Sequence, residues 1–390
     1  MINIPKLRFP EFTGEWEDKK LNSIFTKITQ RNSDNQNSNV ITNSATEGLV
    51  SQRDYFDKDI ANKDKTDNYF IIKNGDFVYN PRKSSAAPYG PFTQYKLLND
   101  GIVSPLYLCL RKNNSEVESK YLENYFKTTC WHQYIYENGS SGARHDRVSI
   151  HDDVLLAMPI KVPSLPEQQK IADFLSNVDS IITAETKILN TLQKKKKALM
   201  QKLFTQQLRF KSNDGTDFPA WEEKKVIDFA KVDTGANNTQ DKVEDGPYPF
   251  YVRSPIIYRS NKYIFDFPEA VLTVGDGVGT GKVFHYVQGK FDCHQRVYVI
   301  HDFENVLGKY FYFYFSEKFY ARVKPMSAKN SVDSVRREMI TDMKIPIPCK
   351  TEQQKIAECL SSMDSLIQTQ QKVVTTWQQR KKALLQQMFV

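Results

Sequence analysis

The chemistry this sequence offers is concentrated in a few polar loops, and several catalytic arrangements can be tested on them directly. Gly275-Asp-Gly-Val-Gly-Thr-Gly-Lys282 has the look of a phosphate loop, but the first required glycine is replaced by Asp276 and Lys282 is followed by Val283 instead of a hydroxyl. A turn that offers one lysine is the more modest reading. Asn80-Pro-Arg-Lys83 begins like the NPPY signature of adenine methyltransferases and lacks its second proline and its aromatic, so methyl transfer is not supported. Asp100 with Glu118-Ser-Lys120 is a loose carboxylate and lysine set of the kind that binds Mg²⁺ for hydrolysis. The same short spacing recurs at Asp18, Glu223 and Asp342, as a lysine-rich chain produces by chance. The six histidines contain no HExxH. The cysteines (Cys109, Cys130, Cys293, Cys349, Cys359) form an odd set without CxxC spacing, which predicts buried reduced thiols and no metal site.

What survives is loop chemistry suited to nucleic acid. In the first half, Asn80, Arg82 and Lys83 share one loop, and Gly139-Ser-Ser-Gly-Ala-Arg144-His-Asp-Arg147 forms another. In the second half, Arg253, Arg259, Lys282, Lys329 with Asn330, and Arg336 with Arg337 offer the same groups. Arginine grips guanine through two parallel hydrogen bonds and amides grip adenine, whereas lysine mainly holds phosphate. Any one of these is more often a solvated surface charge, so the set carries the reading.

The elements that must position these loops are announced by an internal repeat. EQQKIA at 167–172 returns at 352–357, an offset of 185 that holds without a gap to Phe204 and Phe389. Twenty of those 38 aligned positions are identical, which chance does not produce. A fainter echo opens each half, where LRF and Trp16-Glu-Asp-Lys-Lys match LRF and Trp221-Glu-Glu-Lys-Lys. The repeated stretch has a heptad seam: Ile171, Leu175, Val178, Ile182, Leu189 and Leu192 in the first copy, Ile356, Leu360, Met363, Ile367, Val374 and Trp377 in the second. Ser164-Leu-Pro-Glu167 predicts an N-cap, an early proline and a capping-box glutamate. Each copy is therefore a long helix, and the two would bury their seams most economically on each other. Chain logic leaves parallel and antiparallel pairing open.

Between the helices lie segments rich in β-branched and aromatic runs, such as 68–80, 104–110, 248–254, 270–276 and 295–301. Each segment also has one aromatic stretch of helical character, 120–135 and 308–323. The fold class is α/β of the α+β kind with antiparallel sheets: two mixed α/β domains and two long helices in a cyclic repeat. The expected boundaries are 1–163, 164–206, 207–348 and 349–390. Hydrophobic residues at 40%, charged at 26% and a mean hydropathy of −0.56 fit a globular protein. No run approaches the ~18 apolar residues of a membrane helix, and the N-terminus has no signal-peptide pattern, so the expected location is the cytoplasm. The formal net charge is +8. The helices hold seven basic against four acidic residues at 167–204 and five against three at 352–389, leaving only a small excess for the domains between.

The repeated helices with their IKVPSLPEQQKIADFL and IPIPCKTEQQKIAECL openings, together with LRFPEFTGEWEDKKL and the cyclic order of parts, resemble the specificity (S) subunits of type I restriction-modification systems. The resemblance spans the chain. It implies that the two unlike segments are target recognition domains and that the long helices form an antiparallel coiled-coil spacer, the whole having pseudo-two-fold symmetry. It further implies double-stranded DNA as ligand, two methyltransferase (M) subunits and restriction (R) subunits as partners, and no catalytic residues, metal or cofactor in this chain. Recognition would be bipartite and asymmetric. The residues themselves leave two other readings open: a self-contained nuclease or methyltransferase on a coiled-coil scaffold, and a coiled-coil adaptor that binds no DNA.

Overall fold

The structure is a computed structural model that describes residues 4–55, 66–140, 145–277, 279–327 and 334–390. The chain divides into two compact units, Met1–Glu185 with Val373–Val390, and Thr186–Lys372. The division falls inside both long helices, which run Leu165–Phe204 and Lys350–Met388. The helices are where the sequence puts them, and each compact unit includes parts of both. The reason is burial: the helix ends belong to the domain cores.

In the first unit an antiparallel sheet has the order Phe25–Lys27, Leu108–Lys112, Phe77–Tyr79, Phe92–Gln94. Its side chains meet the opening turns of the first long helix (Ile171, Leu175) and the end of the second (Leu385, Met388, Phe389) in one cluster with Trp16 and Tyr121. The start of one helix lying against the end of the other makes the pairing antiparallel. The expected single helix over 120–135 is two, Ser119–Tyr125 and His132–Asn138. The interruption falls where Thr128 turns its hydroxyl back onto the Tyr125 carbonyl at 2.6 Å, the local competition that makes threonine a poor helix interior. Phe126 there stacks on Phe92 with centroids 3.8 Å apart.

In the second unit a six-stranded sheet has the order Lys231–Thr234, Val297–His301, Phe265–Val274, Phe284–Cys293, Tyr248–Tyr251, Ile257–Ser260. All pairings are antiparallel except Tyr248–Tyr251 with Phe284–Cys293, a parallel contact the strand pattern does not announce. Helix Gly308–Ser327 covers the sheet, with Tyr310, Phe311, Phe313, Phe315 and Phe319 all fully buried, so those aromatics are core. Met200, Leu203 and Phe204 from the first long helix join Ile356 and Leu360 of the second in this core, again antiparallel. Along the seam Val178, Leu189 and Val374 are buried, while Ile182, Leu192, Met363, Ile367 and Trp377 are half-buried.

The same bonds close both units. Glu167, with a side chain 1% exposed, accepts Arg8 Nε and Nη2 at 2.7 Å each and Trp16 Nε1 at 3.3 Å. Glu352, 0% exposed, accepts Arg209 Nε at 3.1 Å and Nη2 at 2.8 Å, and Trp221 Nε1 at 2.8 Å. The capping-box role expected of Glu167 is thus displaced by a long-range one: the guanidinium fork offers a stronger, charge-assisted partner than a backbone amide. The neighbouring Gln168 accepts from Glu118 N and donates to Pro163 O and Glu116 O. Gln353 repeats this with Leu307 N, Pro348 O and Asn305 O. Strand pairs Glu17–Lys20 with Pro159–Val162 and Glu222–Lys225 with Lys344–Ile347 seal each junction in the same register. Lys381 reaches Asp179 in the first unit and Lys196 reaches Asp364 in the second, equivalent pairs of the repeat.

All five cysteines are free; Cys109 and Cys293 are buried and the other three half-buried, so the expectation of buried thiols holds for two. Among the described residues no helix is long and apolar enough to cross a membrane. Replacing Glu167 by alanine strands the Arg8 guanidinium and the Trp16 indole, and is expected to cost the first unit about 3–5 kcal/mol, the usual result of removing one member of a buried pair. Urea titration of the wild type and Glu167→Ala measures this; equal midpoints would contradict it.

Candidate nucleic-acid interface

The two basic loops of the first unit are separated by some sixty residues in sequence and come together in space. Arg82 and Arg147 form an antiparallel bridge, flanked by hydrogen bonds from Lys83 N to Asp146 O at 2.8 Å and from Val148 N to Pro81 O at 2.9 Å. Directly opposed residues of an antiparallel pair project to the same side, so two like charges stand side by side. Asp146 relieves the repulsion, 3.8 Å from Arg82 Nε. Lys83 is half-buried beside them.

Asn80 faces inward. It is 8% exposed, its Nδ2 donates to Asn43 O at 3.2 Å, and its Oδ1 accepts from Arg82 N at 3.0 Å. The amide holds the loop that presents Arg82. Gly90 completes the support: with φ of +83° it passes so close that a Cβ there would lie 2.0 Å from the Asn80 carbonyl oxygen. Arg144 lies outside the described residues.

The second unit builds a comparable cluster from different parts. Asp276 follows strand Phe265–Val274 and sits between Arg253 Nη1 at 3.3 Å and Arg296 Nε at 3.7 Å. Gly275 donates its N–H to Arg296 O at 2.7 Å, and a Cβ on it would meet that same oxygen at 2.9 Å, so the two loops touch backbone to backbone. Val335 N bonds Gly275 O at 2.7 Å, which brings the exposed Arg336 to the same loops. His294 is buried, and its Nδ1 accepts from Arg296 N at 2.9 Å. Burial first, then the charges of Arg253 and Arg296, push its pKa below the ordinary histidine value, so it stays a neutral acceptor. Beside it Gln295 Nε2 donates to Asn238 Oδ1 at 2.7 Å.

Two residues expected from sequence stand apart from this cluster. Arg259 turns its guanidinium onto the carbonyls of Gly246 and Pro247, at 2.7 and 3.0 Å, and fastens a turn instead of offering a fork. Lys282 is exposed, with Nζ 4.9 Å above the Tyr320 ring. Lys329 lies outside the described residues. Conversely, Arg296, Asp276, Gln295 and Asn238 were not picked out from the sequence. The signal for the first was present: Gln295-Arg296 immediately precedes the β-branched run Val297–His301 and so occupies a strand-connecting tip. Among the described residues no group of three or more metal-ligating side chains converges.

Two unlike domains, one with a bridged pair of arginines and the other with a pair tethered by one aspartate, are framed by one repeated junction. A family model described as the type I restriction modification DNA specificity domain matches residues 13–194 and, a second time, 220–376. The chain belongs to the DNA specificity subunits of type I restriction-modification systems. Among specificity subunits it is 24% identical over 418 residues to a chain named for the MjaX enzyme of Methanocaldococcus jannaschii, covering 98% of this chain and 95% of that one. It is 25% identical over 314 residues to the MjaVIII specificity subunit of the same organism, covering 73% and 72%. In fold it is similar to the crystal structure of the S subunit from M. genitalium, with a TM-score of 0.60, 14% identity and 99% of each chain covered.

The tethering acids of this specificity subunit differ from its structural ones. Asp76 is 3% exposed and takes Arg111 through two bonds of 2.8 and 2.7 Å plus Lys73 N at 2.7 Å. Asp276 is 25% exposed and holds its arginines more loosely. Asp276→Ala is therefore expected to change stability by less than about 1 kcal/mol, as exposed pairs do, and Asp76→Ala by about 3 kcal/mol or more. Chemical denaturation of the two variants side by side measures the contrast; similar losses would show that Asp276 is a structural residue.

Proposed function

We propose that this specificity subunit reads a bipartite, asymmetric double-stranded DNA target and directs adenine methylation or ATP-dependent cleavage carried out by partner subunits. Two methyltransferase subunits, one for each half of the repeat, and restriction subunits complete the assembly. The observation that carries this reading is the use of one junction, Arg8–Glu167–Trp16 and Arg209–Glu352–Trp221, to frame two unlike contents, a four-stranded and a six-stranded sheet. A repeated frame gives equal attachment to equal partners. Unlike sheets with unlike arginine loops give different half-sites.

On this reading the chain supplies the address and brings no cofactor and no chemistry of its own. Arg82 and Arg147 serve the first half-site, and Arg253, Arg296 and Arg336 the second. A map of methylated adenine across the genome, with and without this gene beside its methyltransferase, is the decisive test. The expected result is loss of methylation at one bipartite motif with two different halves. Unchanged methylation would overturn the reading, and cutting or methylation by the purified chain alone would favour a self-contained enzyme.

The cyclic order supports a second expectation. The first unit borrows Leu385, Met388 and Phe389 from the chain's end, and the repeat places Met200, Leu203 and Phe204 at the equivalent positions of the first long helix. A fragment of residues 1–206 is expected to dimerise, each copy lending its helix end to the other's core, and with the methyltransferase to direct methylation of a palindrome of the first half-site. Light scattering that shows a folded monomer would contradict it.

A further inference from the structure

Behind the bridged arginines of the first unit lies a cleft of about 480 Å³ that none of the foregoing uses. Its floor and walls include Tyr107, Pro105 and Arg147, and its basic members are Lys27, Arg31 and Arg147 against one acid, Asp152. Lys27 Nζ is 2.5 Å from Asp152 Oδ2, which leaves Arg31 and Arg147 uncompensated within the cleft. Arg31 is fixed from behind, with Nη1 donating to Asn68 O at 3.0 Å and Oδ1 at 3.2 Å, and its guanidinium carbon 5.0 Å over the Phe70 ring. Arg147 differs from the arginines discussed so far: its Nε is fully screened and makes no hydrogen bond within the protein.

Arg31 and Arg147 line this basic cleft with no carboxylate among the described residues bonded to either guanidinium, and such a pair suits an oxyanion. Net positive charge with aromatic and proline walls admits a phosphate group with part of its sugar. Lys83 and Arg82 lie on the adjoining bridge, so a strand read by Arg82 would run past the mouth of the cleft.

We propose that this cleft is a backbone-phosphate seat of the first recognition domain, in which Arg147 and Arg31 grip one DNA phosphodiester. Arg147 is then a positioning residue that fixes the register in which its bridge partner Arg82 meets a base. The proposal rests on the DNA-reading role given above and assigns Arg147 the part of that role that is blind to sequence.

The test uses the full chain assembled with its methyltransferase subunits and measures duplex affinity against salt concentration for wild type, Arg147→Gln and Arg31→Gln. A phosphate seat predicts that Arg147→Gln weakens binding to cognate and scrambled duplexes by the same factor, about tenfold, and lowers the salt slope by about one. The methylated motif is expected to stay the same. Arg31→Gln, an exposed position whose loss leaves the core intact, is expected to act in the same direction. A duplex series with one phosphate at a time replaced by neutral methylphosphonate then finds the seat: one position weakens wild type and has no further effect on Arg147→Gln. Loss confined to the cognate duplex would make Arg147 a base reader and overturn the proposal. So would unchanged affinity and slope in both variants, or methylphosphonate effects that are identical in wild type and variant. If the wild-type assembly binds no duplex at all, the DNA-reading role itself falls, an outcome distinct from the others.

Discussion

Everything in this subunit hangs from a carboxylate that water does not reach. Glu167 and Glu352 are buried at the starts of the long helices, where an isolated charge would be strongly disfavoured. Each is tolerated because an arginine fork and an indole N–H converge on it, and because the helix N-terminus adds the favourable end of its dipole. The arginine and tryptophan come from the segment that begins each domain. One bond set therefore fastens three things at once: the opening strand, the closing strand and the helix that leaves. The adjacent glutamine extends the knot to backbone groups at the domain's own helix, Glu118 N in one unit and Leu307 N in the other. Its amide can donate and accept together, which suits a junction where both kinds of backbone group need a partner.

Because the knot meets the domain interior only through backbone groups, the sheet inside the frame is free to differ. Among the described residues the first unit fills it with a four-stranded sheet and two small strand pairs, the second with a six-stranded sheet that includes a parallel contact. The helices follow the same logic. Their ends are core residues of the domains, as Leu175, Leu203, Leu360 and Phe389 show, whereas seam positions such as Ile182 and Ile367 remain half-buried. Polar residues of the helices add to the pairing: Lys196 and Lys381 each find the aspartate of the other helix. A pair in this setting is specific in register even where its net stabilisation is small.

The arginine loops obey a different rule from the frame. Arginines that maintain structure, Arg8, Arg111 and Arg209, hold their carboxylates through two short bonds. Arg82, Arg253 and Arg296 are held at 3.3 to 3.8 Å by single oxygens of part-exposed aspartates. A loose acid keeps neighbouring guanidinium groups from repelling each other while leaving their donor edges open to another partner. The same residue type thus divides by geometry into tightly held fasteners and loosely held arginines, and nothing in composition separates the two.

How much of this was legible follows the range of each interaction. The heptad seam, the repeat and the family are local or periodic facts, written in Ile171, Leu175, Ile356, Leu360 and EQQKIA, and the sequence by itself determined the two long helices and the cyclic order. Both halves of the knot were visible as repeated words, LRF with Trp and EQQ, but that they bond to each other depends on contacts 131 to 159 residues apart. The aromatic stretch at 120–135 reads as one helix, and the break comes where Thr128 bonds back to Tyr125 O and Phe126 stacks on Phe92 from a distant strand. Asn80 and Arg259 look like readers by type, and only their tertiary partners make them braces. Asp276 looks like a fault in a phosphate loop until Arg253 and Arg296 stand beside it. Residue type fixes what a group can bond; which of its candidate partners it actually meets is decided by strand register and loop closure, and these exist only in the folded chain.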